Sequence, residues 1–303
     1  MFWRGEMGER RIKVMIAYDG SSHADAAIDD LSRAGLPQDS EVLITTVVDL
    51  AASRPALSEF DLLSAASRRV DLVLSQARQH DAVALKDARA MVSNLASRLR
   101  EQYPDWTIRF DVLRGAPAEE LLQKAAQWKP DLIIGGSNGR STIGRFFLGS
   151  VSKRVAEEAR CSVRIVRSTI ERPEAGKLEL VIGAANPADA RRVVESVANR
   201  DWPAGTRVRL LAVNDCPLTS NVLGVDGNEE SIYEDTAEPL TTAGMDVSIQ
   251  TRSGDPKSLW LEAVGAEHVD TIFVAGNSDD HSILDGPALG LITDARCTVE
   301  IVR

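Results

Sequence analysis

Two stretches of this chain repeat each other at a fixed distance. Arg114-Gly-Ala-Pro and Ser253-Gly-Asp-Pro stand 139 positions apart, and so do Asp131-Leu-Ile-Ile and Asp270-Thr-Ile-Phe. Further on, Ala159-Arg-Cys-Ser-Val-Arg-Ile-Val-Arg is echoed by Ala295-Arg-Cys-Thr-Val-Glu-Ile-Val-Arg. Self-similarity over such a length implies two copies of one folding unit, and 303 residues suffice for each copy to bury its own core. The expected organisation is a polar leader over 1–10, a first unit over 11–168, a linker over 169–176 containing Pro173, and a second unit over 177–303.

Within the first unit, strand and helix patterns alternate. Ile12 to Tyr18 is an apolar run of β-formers that ends at Asp19-Gly20-Ser21-Ser22, and Ala24, Ala27, Ile28 and Leu31 then follow a helical period. Ser21 or Ser22 is the predicted N-cap. Glu41 to Val48 reads as the second strand, and a strand, helix, strand unit of this length implies a right-handed parallel crossover. Leu50 to Tyr103 is a long helical region. Ala88, Val92, Leu95 and Leu99 turn its second half toward a sheet, whereas Arg68, Arg69 and Asp71 make the first half a surface helix. Trp106 to Leu113 is the third strand, Pro117 opens a helix that turns Leu121, Leu122 and Ala125 inward, and Asp131 to Gly135 is the fourth strand. A helix over Ser150 to Ala159 and a fifth strand over Ser162 to Val166 complete the unit. The predicted fold class is α/β: two tandem repeats, each an open five-stranded parallel sheet with helices on both faces. Only Asn214 to Thr242, acidic and poorly periodic, resists a firm reading beyond a short helix or surface segment.

Composition removes several functions. The formal net charge of -10 repels nucleic acid and anionic membrane surfaces, no apolar run approaches the ~20 residues of a membrane helix, and a cytoplasmic location is expected. Cys161, Cys216 and Cys297 are too few and too scattered for a disulfide framework or a zinc cluster, and read as core residues. His23, His80, His268 and His281 show no metal-ligand spacing.

Chemistry concentrates instead in Asp131 to Val155, where a strand runs into glycines and then into a helix. Gly136, Gly139 and Gly149 form Gly-x2-Gly-x9-Gly, with Ser150 next and Val151 and Val155 starting an apolar stripe. Glycine admits close backbone approach, and the first helical turn offers unpaired N–H donors at the positive end of its dipole, so an anion suits the junction. Two glycines may equally just turn the chain while Ser150 caps the helix. Asp19 likewise has two readings: a turn residue, or an acceptor for a ligand amino or hydroxyl group at the carboxyl end of a strand.

The full Gly-x2-Gly-x9-Gly-Ser pattern, with Asp19 in Tyr-Asp-Gly-Ser-Ser upstream and Thr-Thr-Val-Val-Asp closing at Val47, Val48 and Asp49, resembles the nucleotide-binding signature of the universal stress protein family. The resemblance implies a Rossmann-like, adenine nucleotide α-hydrolase-like fold. It implies a site for ATP, or for ADP or AMP, at Ala17, Tyr18, Asp19, Val47, Gly136, Ser137, Gly139, Arg140, Gly149, Ser150, Val151 and Ser152, with Mg2+ carried on the phosphates. It also implies that the two repeats pair through their last strands, Val163 to Val166 with Val299 to Val302, and that a homodimer can form.

The second copy departs from the signature. Val181-Ile-Gly-Ala-Ala-Asn-Pro lacks the acid, and Val274-Ala-Gly-Asn-Ser-Asp-Asp-His meets no later Gly-Ser, only Asp285-Gly286-Pro287. Asp279 and Asp280 repel a polyphosphate where Arg140 and Arg145 attract one. One nucleotide site per chain is therefore expected, in a stress-response regulatory protein whose second repeat serves pairing and interaction. The alternatives are a slow ATP-hydrolysing or phosphate-transferring enzyme, although no Walker A or kinase motif is present, and a protein-interaction scaffold.

Overall fold

Apolar runs that alternate with amphipathic helices fold here as one mixed sheet covered on both faces. The structure, a computed structural model, describes residues 11–50, 67–138, 148–167, 177–214, 229–266, 268–276 and 286–303, with 67–77, 229 and 230 by backbone alone. The predicted leader and linker, Gly139, Arg140, Arg145, Cys216, Asp279, Asp280 and Asp285 lie outside the described residues, as do the side chains of Arg68, Arg69 and Asp71.

In the first half, β1 (Lys13–Ala17) leads through α1 (Ser22–Asp29) and a 3-10 turn (Asp30–Arg33) to β2 (Glu41–Val48). The long helix α2 (Ser67–Gln102) precedes β3 (Thr107–Arg114), α3 (Pro117–Trp128), β4 (Leu132–Gly136), α4 (Ser150–Glu158) and β5 (Ser162–Val166). The second half follows the same plan: β6 (Glu179–Ala184), α5 (Pro187–Ala198), β7 (Arg207–Asn214), α6 (Glu229–Thr242), β8 (Asp246–Ser253), α7 (Pro256–Ala266), β9 (Thr271–Ala275), α8 (Gly286–Asp294) and β10 (Thr298–Val302).

Strand order across the ten-stranded sheet is β3-β2-β1-β4-β5-β10-β9-β6-β7-β8. Every pairing within a half is parallel, and the order read outward from β5 is the order read outward from β10. The α/β class and the five-stranded parallel units expected from the sequence are therefore borne out. At the centre, β5 and β10 pair antiparallel, with Val299 opposite Ile165, Glu300 opposite Arg164 and Ile301 opposite Val163.

Three cores follow from this arrangement. One fills the first half beneath α1 and α2 with Val14, Ile16, Ile28, Ile44, Val92, Leu95 and Leu99, and a second does the same beneath α5 and α6. The third is shared: on the opposite face, Met15, Ile133, Val155, Val163 and Ile165 pack in one cluster with Trp260, Ile272, Leu291, Val299 and Ile301. Small devices recur in both halves. The carboxylate of Asp131 accepts from Lys13 N–H at 2.8 Å, and that of Asp270 accepts from Glu179 N–H at 2.9 Å, so each tethers the start of a neighbouring strand.

Of the two readings open for the acidic segment the helix is the one found, and the reading of Ser150 as a cap changes. Residues 229–242 form a helix that buries Tyr233, Ala237 and Leu240, at steps of four and three, against Ala190, Val193, Val194 and Val197 of α5. Its acidic face and internal Pro239 had hidden that stripe. And Ser150 is the first helical residue of α4, not its cap; Gly149 holds the cap position in extended backbone without any side-chain cap bond. Of the cysteines, Cys297 is buried and Cys161 half-buried.

Candidate functional site

Parallel strands deliver their carboxyl ends to one rim of the sheet, and a crevice opens where neighbouring strands lead away in opposite directions. In the first half that switch lies between β1 and β4, which are neighbours although β1 continues to β2 and β4 to β5. A cleft of about 860 Å³ occupies the position, within the range of about 300–1,000 Å³ typical of small-molecule and cofactor sites.

Nine of the residues expected at a nucleotide site line this cleft: Ala17, Tyr18, Asp19, Val47, Gly136, Gly149, Ser150, Val151 and Ser152. Ser137 does not line it. It is buried behind, where its N–H donates to Val166 O at 2.9 Å and its carbonyl accepts from Gly149 N–H at 2.7 Å, so it ties the start of α4 to the end of β4. Gly139 and Arg140 fall outside the described residues.

The start of α4 is the part of the cleft whose chemistry suits an anion. Lys153 N–H makes the first intrahelical bond, to Gly149 O at 2.9 Å. The N–H groups of Ser150, Val151 and Ser152 are therefore those that an α-helix cannot satisfy internally, and they sit at the positive end of its dipole. Ser152 Oγ donates backward to Gly136 O at 2.7 Å and anchors that turn against the strand. The contrast with α1 is informative. There Ser21 Oγ accepts from Ala24 N–H at 3.2 Å, so the helix start is closed by its own side chain.

Asp19 is a turn residue that also lines the cleft. Its Oδ1 accepts from Ser21 N–H at 3.0 Å, which shapes the turn, while the residue borders the cleft. Tyr18 beside it donates its hydroxyl to Asp25 Oδ1 at 2.7 Å, and burial together with this bond raises the phenol to about 12, so it stays protonated. Gly136 has a packing reason of its own. A Cβ there would lie 2.5 Å from the backbone O of His23, so glycine is what lets α1 lie close to β4.

Several cleft residues were not singled out from the sequence. Thr45 lines the floor two residues before Val47 on the same strand face, a placement that strand alternation could have indicated. Asn138 follows the buried Ser137, and no spacing marked it. Thr45 Oγ1 and Asn138 Oδ1 are buried polar atoms with no protein partner. Ala84, Asp87, Ala88 and Met91 bring α2 over one wall, and Leu121 of α3 forms part of another. A cleft lined by apolar side chains, by the carboxylates of Asp19, Asp49 and Asp87 and by the N–H groups of a helix start suits a ligand with an apolar part and an anionic part.

The corresponding region of the second half is built otherwise. Gly183 occupies the strand position of Ala17, and Trp260 stands on α7 where Leu121 stands on α3. The indole lies over Gly183 so closely that a Cβ would come within 2.8 Å of Trp260 Cε2, and the ring is buried. What stays open is a smaller cavity of about 370 Å³ beside Asn186, Asn214 and Tyr233.

A doubly wound parallel sheet with a cleft and an open helix start at its switch point is the arrangement in which α/β proteins take small ligands. The universal stress protein family model matches residues 11–167, and the chain belongs to that family. Universal stress protein MJ0531 of Methanocaldococcus jannaschii is 28% identical over 159 residues, covering 51% of this chain and 81% of that protein. Over nearly the whole length, the crystal structure of a universal stress protein from Archaeoglobus fulgidus superposes with a TM-score of 0.62 at 18% identity, covering 96% of this chain and 98% of that one. A universal stress protein family protein from Arabidopsis thaliana, solved with AMP bound, covers 54% of this chain and 97% of its own at 16% identity and a TM-score of 0.29. Among the described residues no helix is long and apolar enough to cross a membrane.

Proposed function

We propose that the first half, residues 11–168, binds an adenine nucleotide, ATP foremost, and that occupancy regulates what the protein does. The second half, residues 177–303, is a copy that has given up its own site and serves as the permanent partner of the first. The base lies in the slot beside Val47 and Asp19, and the phosphates reach the N–H groups of Ser150, Val151 and Ser152, with Gly139 and Arg140 completing the loop. Mg2+ travels on the phosphates. The observation that carries this reading is the start of α4: a glycine-led helix with no side-chain cap that opens into a cofactor-sized cleft.

Isothermal titration of the intact chain with Mg-ATP tests it. One site per chain with a dissociation constant in the micromolar range is expected. Binding weaker than millimolar, or two sites per chain, would overturn the reading.

A further inference from the structure

The two central strands are near copies, Ser162-Val-Arg-Ile-Val and Thr298-Val-Glu-Ile-Val. They pair about a local dyad, and Arg164 and Glu300, the middle residue of each, are register partners on that axis. The one charged residue of each strand thus falls where self-pairing would set it against its own copy.

Both side chains are fully buried. Two contacts to the Arg164 guanidinium come from its own half: Nε donates to Asp30 Oδ2 at 2.6 Å and Nη2 to Arg33 O at 3.3 Å. Two come across the seam, from Nη1 to Glu300 Oε2 at 3.1 Å and from Nη2 to Thr271 Oγ1 at 2.9 Å. Glu300 is held in turn by Arg200 of its own half, whose Nη1 donates to Oε2 at 3.0 Å.

Pairing β5 with the β5 of a second copy would replace both crossing partners. Leu132 opens β4 as Thr271 opens β9, so an apolar side chain would take the place of the hydroxyl. A second Arg164 would take the place of Glu300. Buried donors without acceptors and like charges in contact both oppose such a pairing. Two copies of β10 would likewise set Glu300 against Glu300. One further pair of seam contacts is reciprocal: Arg303 Nη2 donates to Ala156 O at the end of α4 at 2.6 Å, and its counterpart Arg167 donates to Thr293 O at the end of α8 at 2.8 Å, a clasp that either pairing would keep.

We infer that Arg164 and Glu300 make β5 and β10 an unlike couple. The β5 edge accepts a strand with an acid on the axis and refuses a second β5, so this seam closes one half on the other and is closed to homodimers through like edges.

Full-length R164E and E300R chains, each with like charges on the axis, test the inference. In each alone, amide exchange along β5 and β10 is expected to quicken at least tenfold while β1 and β6 keep wild-type protection. Mixed one to one, they are expected to form a heterodimer by native mass spectrometry, at least tenfold over either homodimer, because the E300R chain still offers Arg164 with Asp30 and the R164E chain still offers Glu300 with Arg200. Wild-type exchange in both single variants, or no excess of heterodimer, would overturn it. Should the reversals fail to fold, E300Q keeps the side-chain shape without the charge. At least threefold faster exchange in β10 is then expected, and unchanged exchange would overturn the inference.

Discussion

Laid over one another, the two halves agree in sheet order and differ at the cleft. Ala17 beneath Leu121 leaves room for a ligand in the first half, whereas Gly183 beneath Trp260 fills the same place with an indole in the second. The glycine and the tryptophan are one change in two parts: removing a methyl from the strand makes the space that the larger ring needs. The second half thus carries packed core at the place where the first has a cleft. The shared core gains in the process, since Trp260 joins the cluster that also holds Met15 and Val163 of the first half.

That comparison can be broken by substitution. Trp260→Ala should have the largest effect, about 3–5 kcal/mol of stability, as expected for emptying a well-packed aromatic site. Urea denaturation reads it, and nucleotide affinity at the first cleft should be unchanged. A loss below 1 kcal/mol would mean that the indole does not fill the second cleft. Gly136→Ala comes next. Its Cβ would meet the backbone of His23, which cannot swing aside, so a loss of about 1–3 kcal/mol is expected. The second half carries Ala275 at the matching strand position and needs no such glycine. The pair Ala17→Gly and Leu121→Trp transplants the plug. It should weaken ATP binding at least tenfold, about 1.4 kcal/mol, with the fold intact by circular dichroism; unchanged affinity would remove the cleft from the binding reading.

The last effect is confined to acid. Burial opposes the charge of Glu300, but Arg200 and Arg164 more than offset it and hold its carboxyl below the usual range. A carboxylate with a depressed folded pKa stabilises above its unfolded value, near 4.3, and that contribution fades as pH falls through the folded value. The stability gap between wild type and Glu300→Gln should therefore be widest above about pH 5 and close in stronger acid. A gap independent of pH would show that the charge contributes nothing.

Legibility in the sequence followed the range of the interaction. Strands β1, β2, β4 and β5 could be read from apolar runs, and α1 from Ser21 and the helical step that follows. The glycine spacing located the junction between β4 and α4 because backbone freedom and helix starts are local matters. Ser137 belongs to the motif by position, yet it does not line the cleft, and its N–H and carbonyl are taken up by Val166 and Gly149. Strand alternation from Val47 reaches Thr45, whereas Met91 and Asp87 come to the cleft from α2, whose approach no spacing encodes. The helix over 229–242 looked unsuited to a core until α5 supplied the surface that its three apolar residues cover.

By itself the sequence determined the α/β class, the strand and helix order of the first half, that the full Gly-x2-Gly-x9-Gly-Ser spacing occurs only in the first half, and that Arg164 in one last strand stands where Glu300 does in the other. Those follow from composition, period and repetition along the chain. Only the tertiary structure decided that the arginine and glutamate share a buried axis and that Trp260 fills the second cleft. Both depend on which side chains meet across elements far apart in sequence, and desolvation and packing act on neighbours in space.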